Sequence, residues 1–205
     1  MRADPQFIVS MATVLVAGLL WLAVVMALRK KGFAFLAFFT VFYVYLFKVL
    51  DYTLFQYQSL LVLKQWMPNL RLNGLAASDS LNLIPLFELT PADATTSLLN
   101  ILMLVPFGFG LPFITRLRMK GVVLSGALFS ILIELMQLST GILARTTFRV
   151  ADINDVIFNT TGAAIGYLMF AGFTRGYRRV SSGWGIRMHP VLRHIAERPQ
   201  INRQG

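Results

Sequence analysis

Val122-Val123-Leu124-Ser125-Gly126-Ala127-Leu128-Phe129-Ser130-Ile131-Leu132-Ile133-Glu134-Leu135-Met136-Gln137-Leu138-Ser139-Thr140 carries a single charge, at Glu134. Wound as a helix it is about 28 Å long, close to the roughly 30 Å of a bilayer's hydrocarbon core. Four other runs have the same character: Phe7–Leu28, Phe33–Leu50, Ser97–Ile114 and Ile153–Phe173. The chain therefore reads as all-α, a polytopic transmembrane bundle of about five spans. Composition agrees, since 56% of the 205 residues are hydrophobic and 14% charged, against about 45–50% and 25% in a soluble domain.

Little chain is left for a second folded unit, so residues 1–174 are expected to form one membrane domain and residues 175–205 a basic tail. Pro106, Gly108, Gly110 and Pro112 interrupt the third run. A membrane helix tolerates such residues when its neighbours satisfy the freed backbone groups, and a kink near Pro106 is expected. The first run has Arg29-Lys30-Lys31 behind it rather than charges in front and a small-residue cleavage site, which predicts a retained anchor and not a signal peptide.

The formal net charge is +10, but the cations lie between apolar runs rather than along one soluble face, so membrane topology and not nucleic acid is the expected partner of that charge. Arg29, Lys30 and Lys31 separate spans one and two, Arg116, Arg118 and Lys120 separate spans three and four, and seven arginines follow span five. All three segments fall on one side of a five-span chain, which predicts an outer amino terminus and a cytoplasmic carboxyl terminus. Asp51–Thr96 and Gly141–Asp152 are then outer loops. The first of these, from Asp51 to Trp66, is read as an extension of span two or an interfacial helix. The absence of cysteine excludes disulfides and thiolate metal sites.

Polar groups inside the spans are few and aligned. Gly126, Ser130, Glu134 and Gln137 share one face of span four, and Asp152, Asp155, Asn159, Gly162 and Gly166 share one face of span five. Each ionisable group costs about 2.5–3.5 kcal/mol at a helix centre on insertion scales, which marks it as a functional candidate. Glu134 and Asn159 are expected at similar depth in the outer leaflet, with Asn100 entering from span three. Gly162 and Gly166 have the spacing that lets another helix backbone approach closely. Arg145 and Arg149 lie in the loop above, placed to pair with Asp152, Asp155 or Glu134. The expected binding set is Asn100, Glu134, Gln137, Arg149, Asp152, Asp155 and Asn159. The same groups could instead only hold the helices together.

At these residues the chain resembles the VanZ-like membrane protein family. The resemblance is carried by Asn82-Leu83-Ile84-Pro85-Leu86-Phe87, by Asn100 with Pro106-Phe107-Gly108, by Ser130 to Gln137 with Glu134, and by the string from Arg149 to Gly162. It covers Asn82 to Tyr167, and the Arg-x-x-Asp-x-x-Asp string followed by Asn and Gly is its most specific part. It implies a small multispanning protein of the bacterial cytoplasmic membrane, associated with resistance to glycopeptides such as teicoplanin or to other envelope-directed agents. It supplies no reaction.

Other signals carry less. His189 and His194 are five apart without neighbouring ligands, so neither a metal nor any other cofactor is expected. Asn159-Thr160-Thr161 matches a glycosylation acceptor but lies within a span, and Gly108-Phe109-Gly110 lacks the context of a phosphate loop. The arginine-rich tail suits either anionic lipid or simple topology. The leading expectation is an outer-leaflet pocket that binds an amphiphilic envelope molecule, a membrane lipid, lipid-linked precursor or drug. An enzyme using Glu134 or Asp155 as general base, with Arg149 holding an anionic substrate, and a proton-coupled transporter are the alternatives.

Overall fold

A computed structural model describes residues 5–28, 30, 32–55, 81–85, 91–144 and 150–184. Five long helices dominate it: α1 (Pro5–Ala27), α2 (Phe33–Leu50), α3 (Pro91–Ile114), α4 (Met119–Ala144) and α5 (Ile153–Trp184). A π-helical turn, Asp51–Phe55, continues α2. Two short strands, β1 (Leu81–Asn82) and β2 (Ala151–Asp152), pair in parallel, Leu81 with Ala151 and Asn82 with Asp152. The protein is thus an all-α polytopic bundle.

Among the described residues, four helical segments are long and apolar enough to cross a membrane: Phe33–Leu54, Ala94–Ile114, Met119–Ser139 and Ile153–Val180. The expected first crossing corresponds to α1, whose described apolar part, Val16–Ala27, is shorter. The second run has the expected bounds, and its π-helical turn carries it into the predicted loop. The third begins six residues earlier than expected and continues through Pro106 and Pro112 as one helix. The fifth continues past Phe173 into the expected tail as far as Trp184. No proline occurs there before Pro190, and arginine is a good helix former, so nothing local stops the helix where the apolar run ends.

The exterior is the inverse of a soluble protein's. In α4, Ser130, Glu134 and Gln137 are buried while Leu128, Leu132 and Leu135 are exposed; in α5, Asn159 is 1% exposed and Leu168 57%. Polar side chains inside and leucines outside minimise free energy only where the surroundings are hydrocarbon.

Packing fixes the helix directions. Phe38 stacks on Phe113 and Phe42 packs against Phe107, while the Tyr45 hydroxyl donates to the Met103 carbonyl at 2.7 Å, so α2 runs antiparallel to α3. A Cβ on Gly162 would collide with the carbonyl oxygen of Ile101, and one on Gly166 with that of Val105. Helices α3 and α5 therefore run parallel in backbone contact, as small residues permit. Gly126 admits Ala163 in the same way on the other side, and α4 runs antiparallel to α5. Leu104, Phe107, Val122, Ala163 and Phe170 form the core between them. Helix α1 leans on α2 through Tyr43 to the Ala17 carbonyl (2.6 Å) and Trp21 to Thr40 (3.3 Å).

These directions give the bundle two unlike ends. Lys30, Arg116, Arg118, Lys120, Arg175, Arg178 and Arg179 belong to one. The π-helical turn, the β1–β2 pair and the first turn of α5 belong to the other, toward which the buried polar side chains other than Thr174 gather.

Candidate polar site at the end of α5

The site is organised by the start of α5. Asp152 stands at the N-cap: its Oδ1 accepts the Asn154 N–H at 2.8 Å, satisfying one of the orphan donors of the first turn. Its Oδ2 accepts from Asn82 Nδ2 at 3.1 Å, and Asn82 Oδ1 in turn accepts the Ile84 N–H at 3.2 Å. The residues around Asn82 are thereby strapped onto the helix start. The Asp152 N–H donates to Glu134 Oε2 at 3.1 Å, so α4 supplies a second carboxylate to the positive end of the α5 dipole.

Two more bonds join the helices deeper in. Asn100 Nδ2 donates to Asp155 Oδ1 at 2.5 Å, linking α3 to α5. Asn159 Nδ2 donates to Ser130 Oγ at 2.8 Å, linking α5 to α4. Gln137 Nε2 donates to the Thr53 carbonyl at 3.0 Å, tying α4 to the π-helical turn. Both Gln137 Oε1 and Asn159 Oδ1 are buried without a hydrogen-bond partner. A buried acceptor left unpaired costs about 1–3 kcal/mol, so these two oxygens are the unfinished part of an otherwise paired network.

Of the expected set, the structure brings together Asn100, Glu134, Asp152, Asp155 and Asn159. Gln137 joins them through α4 but spends its amide N–H₂ on Thr53. Arg149 and Arg145, with His189 and His194, lie outside the described residues. The depth expectation needs adjustment: Ser130, not Glu134, lies opposite Asn159, and Glu134 meets Asp152 one turn nearer the end. Three partners were not in the expected set, the first being Ser130, which the sequence placed only on the polar face of span four. Asn82 was visible only as part of its Asn-x-x-Pro string, and Thr53 contributes a backbone carbonyl, which no side-chain pattern could reveal. Among the described residues, no three His, Cys, Asp or Glu side chains converge as a metal centre requires.

The family model described as VanZ/LLP1 matches residues 33–174. The chain belongs to the VanZ/LLP1 family. The matched VanZ/LLP1 domain includes α2 through most of α5, so it contains every described residue of the polar site, and it takes in α2, which hydropathy alone had placed. Helix α1 precedes it. No curated protein and no solved structure matches the chain significantly.

Asp152 carries three of these contacts, two through its side chain. Asp152→Ala is expected to lose the cap and the Asn82 tether together. Loss of a cap costs about 1 kcal/mol, and the tether adds a hydrogen bond to a charged acceptor, about 1.5–3 kcal/mol. The check is unfolding of the purified protein by sodium dodecyl sulfate titration, with Asp152→Asn expected to retain most of the cap.

Proposed function

We propose that this VanZ/LLP1 protein binds an amphiphilic cell-envelope molecule, placing its polar head at Asn100, Glu134, Gln137, Asp152, Asp155 and Asn159 while its chain stays against the apolar exterior. The observation that carries the reading is the pair of buried, unpartnered oxygens on Gln137 and Asn159 within a polar cluster whose surroundings are apolar. A head group bearing hydroxyl or N–H donors would complete both. Binding is favoured over acid–base chemistry because Glu134 Oε2 and Asp155 Oδ1 each accept from a scaffold donor, which supports an anchoring role over that of a freely titrating base.

The basic residues at the opposite end orient the protein by the excess of Lys and Arg in cytoplasmic loops. On that reading the polar site opens to the outer leaflet of the cytoplasmic membrane, with Arg149, three residues before Asp152 in the sequence, as its proposed cationic member. Lipid-linked wall precursors and lipid-like drugs such as teicoplanin are the ligand classes this position suits.

In cells lacking the native gene, expression of the wild type is expected to lower susceptibility to teicoplanin or another envelope-directed agent. Glu134→Gln and Asp155→Asn, accumulated to equal levels in the membrane, should each lose most of that protection. Full protection by both variants would exclude the site from the function.

A further inference from the structure

The polar end is set below the membrane surface. Glu134 lies fourteen residues beyond Lys120 along α4, about 21 Å of helix, and Asn100 lies sixteen residues before Arg116 along α3, about 24 Å. A hydrocarbon slab of about 30 Å that begins at those cations therefore extends about 6–9 Å past the cluster. Helix α4 does continue, for ten residues beyond Glu134 to Ala144. Yet α5 begins at this depth, since Asp152 bonds Glu134, and so does the non-helical backbone of Leu81–Pro85, held there by the β1–β2 pair and the Asn82–Asp152 bond.

Irregular backbone at hydrocarbon depth is tolerated where it is buried in protein or lines water, because lipid offers no partner to its N–H and C=O groups. Leu83, Ile84 and Pro85 are not buried; Leu83 is 65% exposed and Ile84 57%. Water is then the remaining solvent for that stretch. The same conclusion comes independently from two buried acceptors with no partner: Asn159 Oδ1, which lies deeper, level with Ser130, and Gln137 Oε1, one turn of α4 beyond Glu134 toward the mouth. Buried polar atoms in native structures are paired with protein or with ordered water.

We infer that the polar end is an aqueous inlet sunk into the bilayer, with the Leu81–Pro85 strap as its lip, Gln137 near its mouth and Asn159 at its floor. An incoming head group displaces water there rather than entering from dry hydrocarbon. The apolar lip and the unpaired acceptors within match the two parts of an amphiphile whose head donates hydrogen bonds. The ligand class rests on the proposed function; the inlet itself does not.

The chain has no cysteine, so each introduced thiol is the sole target of a charged methanethiosulfonate, which reacts with thiolate in water. Leu83→Cys and Ile84→Cys replace exposed lip residues. Leu132→Cys and Leu135→Cys replace similarly exposed residues of α4 at the depth of Glu134. In membranes, the two lip variants are expected to label at least tenfold faster than the two α4 variants, with all four labelling fully after denaturation. Equal, slow labelling of all four would place the lip in lipid and overturn the inlet. Equal, fast labelling would remove the cluster from the bilayer and overturn it too. Intact cells and inverted vesicles separate the two readings: lip labelling confined to the cytoplasmic side would keep the inlet and reject the outer-leaflet orientation behind the proposed function.

Discussion

Gly166→Leu is expected to prevent the bundle from assembling. A Cβ at this position would meet the Val105 carbonyl oxygen and the backbone of Gly108 and Phe109, and backbone atoms cannot swing aside as a flexible side chain does. Overpacking in a close-packed interior commonly costs about 1–3 kcal/mol and occasionally more; a collision between two helix backbones belongs at the upper end. Gly162→Leu is expected to behave alike, since Ile101 closes over it. Gly172→Leu is the control, for its Cβ direction is open, and it should leave the protein monodisperse in detergent. Size-exclusion profiles of the three variants, followed by detergent unfolding of whatever is recovered, check the expectation.

The Asn100–Asp155 pair carries the second large effect. Asn100→Leu removes a donor from a buried carboxylate, and Asp155→Leu leaves a buried amide without its acceptor. Each is expected to cost about 1.5–3 kcal/mol, the range for a hydrogen bond to a charged group. The double variant should be less damaged than the two losses added together, because replacing both partners leaves neither unsatisfied. Unfolding midpoints of the four proteins form the cycle. Strict additivity would show that the bond does not couple α3 to α5.

The sequence made some of this legible and left other parts hidden, for physical reasons. Span length and the inverted exterior follow from hydropathy, because hydrocarbon acts on every residue of α4 and α5 alike. The stripe of Ser130, Glu134 and Gln137 follows from helical periodicity, and burial follows from the cost of exposing such groups to lipid. Gly162 and Gly166 marked a close approach, but their spacing could not name Ile101 and Val105 as the neighbours.

What was hidden depends on register between helices. Pairing of Asn159 with Ser130 rather than alongside Glu134 is a shift of one turn, which no single-helix pattern fixes. The full length of α5 was hidden because hydropathy reports where an apolar run stops, at about Phe173, and not where hydrogen bonding stops, at Trp184. The β1–β2 pair joins residues seventy apart through two-residue strands, too short to leave a period-two pattern. The continuity of α3 through Pro106 reflects tertiary support, which α2, α4 and α5 provide.

Taken with the family assignment, these features describe a membrane bundle in which the buried polar side chains of α3, α4 and α5 concentrate around the start of α5. The three basic segments that frame the other end give that concentration its depth. Its unfinished acceptors give it a chemistry that a donor-bearing head group can complete.

The most direct measurement is mass spectrometry of the lipid extract from purified protein after stringent delipidation. The account predicts an amphiphile with a hydrogen-bond-donating head, retained at about one per chain by the wild type and by Leu132→Ala, and lost from a Glu134→Gln, Gln137→Leu double variant that remains folded. Absence of a retained amphiphile from the wild type, or its equal retention by the double variant, would contradict the polar cluster as the binding site.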